Sequence, residues 1–118
     1  RAAAPSKKRG AKGPRTLVVT AGPLSGTKIT LGEQPILIGR ADDSTLVLTD
    51  DFASSRHARL TNRGGQWYVE DLGSTNGSLV DGQRLRGRTE LVNGAVIEMG
   101  RTRIVFRLVA PRRTRKNV

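Results

Sequence analysis

No stretch of this chain keeps an apolar stripe at helical spacing. Short β-branched segments are instead cut by Gly, Pro, Asn or Asp at intervals of roughly 8–12 residues, the pattern of an all-β sandwich or barrel. The pattern predicts about eleven strands, near Thr16–Ala21, Thr27–Leu31, Gln34–Gly39, Thr45–Thr49, His57–Thr61, Gln66–Asp71, Ser78–Val80, Gln83–Leu85, Thr89–Leu91, Val96–Met99 and Thr102–Leu108. Nothing reads as a crossover helix, so the strands are expected to be mostly antiparallel and to form two sheets packed face to face. The core is expected from Leu17, Val19, Ile29, Ile36, Ile38, Leu46, Leu48, Leu60, Trp67, Val69, Leu72, Leu79, Leu91, Ile97, Met99, Ile104 and Phe106. Trp67, alternating with Val69, reads as packing and not as a ligand platform.

A length of 118 residues is enough for one domain. The formal net charge of +11 suggests a nucleic-acid binder until its location is examined. Arg1 to Thr16 carry six Lys/Arg and Ala110 to Val118 carry four, both without an acid, whereas Leu17 to Val109 carry 11 basic and 10 acidic residues. Residues 1–15 and 110–118 are therefore expected to be basic, disordered or linker-like tails, with the domain spanning 16–109. Contact of these tails with nucleic acid or an acidic membrane is the alternative reading of the protein's function. With no cysteine and one histidine, disulfides and thiolate sites are excluded, and neither a metal nor another cofactor is expected. No apolar run reaches the roughly 18 residues of a membrane span. A cytoplasmic setting is expected, or the inner face of the membrane if the polypeptide, opening at Arg1 without a methionine, is an excised and normally tethered fragment.

Four motifs fall where predicted strands give way to loops: Ile38-Gly39-Arg40, Ser54-Ser55-Arg56-His57, Asp71-Leu72-Gly73-Ser74-Thr75-Asn76-Gly77 and Asp81-Gly82. A guanidinium, two hydroxyl pairs and a side-chain amide at one end of a sandwich would make a receptor for a phosphate carried on a peptide. Such a group presents three acceptor oxygens and close to two negative charges. A hydrolase built on Ser54 and His57 is the competing arrangement, but Ser54 lacks a Gly-x-Ser-x-Gly elbow and no oxyanion motif accompanies it. No phosphate-loop motif for nucleotides occurs.

These motifs, in this order and over about Leu17 to Leu108, resemble the forkhead-associated (FHA) domain, a β-sandwich that binds phosphothreonine peptides through loops at one end. The segments ADDSTLVLTDDFASSRHARL and WYVEDLGSTNG resemble FHA proteins of actinobacteria that work with Ser/Thr protein kinases. The resemblance implies a non-enzymatic module in which Arg40, Ser54, Ser55 and Thr75 bind the phosphate and Asn76 holds the peptide backbone. Gly39, His57, Ser74 and Gly77 would shape the loops, with His57 structural and Gly77 at positive φ. Ser55 departs from the Arg, Lys or Asn frequent at that position, which removes one cation. Phe52 and Arg56 are the candidates for peptide specificity, Phe52 toward an apolar residue C-terminal to the phosphothreonine; Asp50, Asp51 and Leu79 to Gly82 are further loop candidates. The implied partner is a phosphothreonine-containing protein, a Ser/Thr kinase or its substrate, met by a monomer with no specific nucleic-acid binding.

Overall fold

The computed structural model describes residues 15–108, so the two expected basic tails lie outside the described residues except for Arg15, which belongs to the first strand and not to a tail. Eleven strands run in sequence order: β1 (Arg15–Ala21), β2 (Lys28–Leu31), β3 (Ile36–Gly39), β4 (Leu46–Val47), β5 (Ala58–Arg63), β6 (Gln66–Asp71), β7 (Ser78–Val80), β8 (Gln83–Arg84), β9 (Thr89–Leu91), β10 (Val96–Met99) and β11 (Thr102–Leu108). They form a six-stranded sheet, β2-β1-β11-β10-β7-β8, and a five-stranded sheet, β4-β3-β5-β6-β9. Every pairing is antiparallel except β3 with β4. Among the described residues there is no helix.

Period-two alternation builds this sandwich. Along β1, Leu17 and Val19 turn inward; along β11, Thr102, Ile104 and Phe106 do so; along β10, Ile97 and Met99. Trp67 and Val69 from β6 and Ile36 and Ile38 from β3 meet them from the other sheet, and all of these are buried. Burial of such side chains stabilises the fold by about 1.5–3 kcal/mol each.

Three expected core positions differ. Ile29 and Leu72 are only partly buried, and Leu79 points outward between the buried Ser78 and Val80. The pleat decides the last case, because Ser78 is drawn inward as a hydrogen-bond donor to Asp71, which leaves the larger Leu79 on the outer face. Leu31, Ala53, Ala58, Val80 and Ala95 complete the core.

The Asp81-Gly82 motif is the two-residue turn of the β7–β8 hairpin, with φ of 51° and 81° at its two positions, as a type I′ turn requires. Asp81 Oδ1 accepts the Val96 N–H at 3.0 Å, which pins the turn to the start of β10.

Candidate functional site

Three loops leave the sheets at one end of the sandwich, and backbone contacts bind them together. Past β3, the Arg40 N–H donates to the Ser54 carbonyl and the Ala41 N–H to the Ser55 carbonyl, each at 3.0 Å, while the His57 N–H donates to the Ile38 carbonyl at 2.9 Å. The strand pairing of β3 with β5 thus continues into the loop that carries Ser54. It does so only because position 39 has no side chain: a Cβ there would sit 2.1 Å from the Ser55 carbonyl oxygen. The role of Gly39 is close backbone approach.

His57 is fully buried and joins this loop to the next. Its Nδ1 accepts the Ser54 N–H at 3.0 Å and its Nε2 meets the Gly77 carbonyl at 2.8 Å, which fixes the tautomer with the proton on Nε2. Both ring nitrogens are therefore committed to backbone, and neither faces the Ser54 hydroxyl. That hydroxyl instead accepts the Thr75 N–H at 3.0 Å. The arrangement holds loops in place and supplies no general base to Ser54.

Asp71 organises the β6–β7 loop. Its Oδ1 accepts the Gly73 and Ser74 N–H groups at 2.9 and 2.7 Å, and its Oδ2 accepts the Ser74 and Ser78 hydroxyls, both at 2.6 Å. Burial pushes its carboxyl up, but the Ser74 and Ser78 hydroxyls and the Ser74 N–H together hold it below the ordinary range. The Ser74 hydroxyl oxygen then accepts the Gly77 N–H at 2.8 Å, and Gly77 takes a φ of +82°, a conformation glycine adopts without strain. The Asn76 amide, projected by this turn, donates from Nδ2 to the Phe52 carbonyl at 2.7 Å.

The outcome is a cavity of about 420 Å³ lined by Arg40, Asp51, Phe52, Ala53, Ser54, Ser55, Thr75 and Asn76. All five residues assigned to phosphate or peptide backbone by resemblance line it. Among the described residues, the side chains of Arg40, Ser55 and Thr75 make no hydrogen bond or ion pair. A guanidinium and two hydroxyls thus face one space with their donors unspent. Among the described residues, Asp51 is the one acid in the lining.

Arg56 is not part of this cavity. Its guanidinium pairs with Asp43 Oδ2 at 2.9 Å on the exposed surface, and this hydrogen bond and its charge hold the Asp43 carboxyl below the ordinary range. Expected as a specificity residue, Arg56 is engaged in the β3–β4 loop because Asp43 offers it a partner there.

Phe52 and Asn76 also line a second cavity of about 400 Å³, with Gly77, Leu79, Glu98, Gly100 and Arg101. The Arg101 guanidinium lies 4.6 Å from the centre of the half-exposed Phe52 ring, a cation–π contact. Asp50 holds this wall in place. Only 2% exposed, it accepts the Phe52 N–H at Oδ1 (2.9 Å) and the Arg101 N–H and Thr102 hydroxyl at Oδ2 (2.6 and 2.8 Å). Burial pushes its carboxyl up, but the hydrogen bonds from Phe52, Thr102 and Arg101 outweigh it and hold the group below the ordinary range. Of the further loop candidates, Asp51 lines the first cavity and Leu79 the second, Asp50 lies behind both, Val80 is in the core, and Asp81-Gly82 is bonded to the far end of β10.

Sequence reasoning gave Asp71 and Arg101 no role of their own and placed Asp50 among the peptide-facing candidates, not in the scaffold. Asp71 had a signal: an Asp followed two positions later by Gly and then Ser is an Asx turn. Arg101 had none, because only the folded β10–β11 hairpin brings it to Phe52.

The family model described as FHA domain matches residues 36–100, more than half of the sequence. The chain belongs to the FHA domain family. Over 93 residues, or 79% of its length, it is 61% identical to the FHA domain-containing protein FhaB of Mycolicibacterium smegmatis, and that match spans 60% of the relative. The chain thus spans about 60% of the length of the curated FhaB relatives it matches. Among solved FHA domains, one from a structural and functional study of phosphothreonine-dependent FHA domain interactions aligns with a TM-score of 0.74 at 31% identity, covering 83% of this protein and 99% of that one. The MEK1 FHA domain in complex with the HOP1 pThr318 peptide aligns with a TM-score of 0.71 at 29% identity, covering 81% and 97%. FHA domain proteins are interaction modules, and the eleven-stranded, mostly antiparallel sandwich seen here is the fold of these neighbours.

Proposed function

We propose that this FHA domain is a non-enzymatic receptor for phosphothreonine peptides, and that Arg40, Ser54, Ser55 and Thr75 take the phosphate while Asn76 holds the peptide backbone. The observation that carries this reading is the donor-lined cavity, in which one guanidinium and two hydroxyls without partners among the described residues converge. A dianion with three acceptor oxygens would satisfy all three groups at once, through charge-assisted bonds. The Ser54 hydroxyl, accepting from Thr75, keeps its own proton free to donate. A few such bonds at about 1.5–3 kcal/mol each, set against several kcal/mol for immobilising a peptide, correspond to roughly micromolar affinity. That strength suits a contact reversed by a phosphatase.

Asn76 supports the backbone role. With Nδ2 on the Phe52 carbonyl, its Oδ1 has no donor among the described residues and remains open to a peptide N–H. The Phe52 wall leads from the phosphate cavity into the second one, which is proposed to receive an apolar residue on the C-terminal side of the phosphothreonine. The phosphothreonine-dependent interactions and the pThr peptide complex of the solved neighbours support a partner that carries phosphothreonine; the proposed partner is a Ser/Thr kinase or a substrate of one, bound by a single copy of this domain in the cytoplasm or at the inner face of the membrane.

Paired peptides test the reading by calorimetry. A phosphothreonine peptide is expected to bind with roughly micromolar affinity, its unphosphorylated twin not measurably. Equal affinity for the two removes the proposal.

A further inference from the structure

Asn76 is followed by Gly77, and an Asn-Gly step is open to a reaction between neighbours, because no Cβ keeps the glycine nitrogen from the asparagine amide carbon. In this domain the reacting groups are tied apart. The Gly77 N–H, which must turn toward Asn76 to attack, donates to the Ser74 hydroxyl oxygen at 2.8 Å, and the Gly77 carbonyl is held by His57 at 2.8 Å. The leaving amide, Nδ2 of Asn76, is held on the Phe52 carbonyl at 2.7 Å. Ser74 is itself oriented, since its proton is committed to Asp71 Oδ2 at 2.6 Å and its lone pair is thereby presented to Gly77.

We propose that Asn76-Gly77 is a site of spontaneous deamidation that switches the receptor off, and that Ser74 sets its rate by restraining the Gly77 nitrogen. In the first step the bond from the Gly77 nitrogen to Cγ of Asn76 forms, the Cγ–Nδ2 bond breaks, and the Gly77 proton leaves with Nδ2 as ammonia, closing a succinimide. Water then opens the ring at either carbonyl, giving aspartate or isoaspartate, with no change of oxidation state. Either product puts a carboxylate into the cavity that holds Arg40 and Asp51, and the isoaspartate also lengthens the backbone of the turn. A carboxylate there competes for the Arg40 cation and repels an incoming phosphate. The switching part of the proposal rests on the phosphothreonine reading; the chemistry does not.

The molecule holds its own reference. Asn93 is also followed by Gly94, but there the glycine N–H donates to the Phe106 carbonyl at 2.7 Å and Asn93 Oδ1 accepts the Leu108 N–H at 2.8 Å, so the sheet backbone does the holding and no serine is involved.

The experiment ages the purified domain at mildly alkaline pH and follows both Asn-Gly steps by peptide-mapping mass spectrometry in the wild type, Ser74→Ala and Ser74→Thr. Ser74→Ala is expected to speed deamidation at Asn76 about tenfold, the effect of removing one ordinary hydrogen bond from the barrier, with Asn93 unchanged. Ser74→Thr, which keeps the acceptor, restores the slow rate. Equal rates at Asn76 in wild type and Ser74→Ala, or equal acceleration at both steps, overturn the role given to Ser74. In the second arm, Asn76→Asp is expected to bind a phosphothreonine peptide roughly 100-fold more weakly than the wild type. Undiminished binding overturns the switch, whereas wild-type protein that ignores the phosphopeptide overturns the receptor reading and leaves the deamidation rates standing.

Discussion

Substitution of Asp50 by Asn changes one atom in a buried group that the loop end of the sandwich depends on. The carboxylate accepts three hydrogen bonds, from Phe52 N–H at one oxygen and from Arg101 N–H and the Thr102 hydroxyl at the other. An amide has one acceptor oxygen, so its NH₂ must face a backbone N–H in either orientation. If it faces Phe52, one charge-assisted bond is lost and one N–H is left unpaired; if it faces Arg101, that N–H is orphaned while the Thr102 hydroxyl can turn to accept. At about 1.5–3 kcal/mol for a hydrogen bond to a charged group, Asp50→Asn is expected to cost about 2–3 kcal/mol of folding stability, measured by urea unfolding at neutral pH. Acid should reveal the same group. The Asp50 carboxyl titrates below its ordinary value of 3.8 in the folded state, so the stability it contributes is complete above that value and is lost as pH falls through the lower, folded one. The variant should therefore lose less stability than the wild type between neutral pH and acid. Because Phe52 and Ser54 ride on the loop that Asp50 ties to β10–β11, phosphopeptide affinity should fall as well. A variant within about 0.5 kcal/mol of wild type, with the same acid dependence and the same affinity, would refute the reasoning.

Gly39→Ala places a methyl 2.1 Å from the Ser55 carbonyl oxygen, and since both sides of the clash are backbone, unfolding stability should drop by about 1–3 kcal/mol, with phosphopeptide binding weakened; an unchanged urea midpoint contradicts this. His57→Ala leaves the Ser54 N–H and Gly77 carbonyl unpaired beside a new cavity, an expected loss of about 3 kcal/mol by thermal or urea unfolding, whereas a small effect would mean the histidine does not tie the loops. Arg40→Ala should lower phosphothreonine-peptide affinity by about 100-fold, as measured by calorimetry, while leaving the unfolding midpoint in place. Asp71→Asn should remove part of the acid sensitivity of urea unfolding, since the Asp71 carboxyl is also held below its ordinary value and its contribution is present at neutral pH and lost on acidification.

The strands were legible because alternation and turn residues are local: all eleven elements fall within a few residues of their expected places, and the inward sets of β1, β6, β10 and, after the buried Thr102, β11 are the apolar positions of period two. Leu79 escaped because a small hydroxyl at Ser78 is recruited into the interior by Asp71, which reverses the face that hydrophobicity alone assigns to the leucine. Ala53, Ala58 and Ala95 gave no signal, since a methyl fits inside or outside equally well. At the site, motif order was enough to bring Arg40, Ser54, Ser55, Thr75 and Asn76 to one cavity. The tie between Asp50 and Arg101 was out of reach, as it closes across 51 positions and exists only after β10 and β11 pair. The pairing of Arg56 with Asp43 was out of reach as well, since it joins two loops by geometry that spacing does not encode.

The central claim is that separate loops join to grip one phosphate, and backbone and side-chain NMR shift mapping with a phosphothreonine peptide examines it residue by residue. The account predicts that the largest shifts fall on Arg40, Ser54, Ser55, Thr75 and Asn76, including the Arg40 guanidinium, and that they vanish with the unphosphorylated peptide. Shifts concentrated on the sheet faces or at the Asp81-Gly82 end, with the Arg40 signals unmoved, would contradict it.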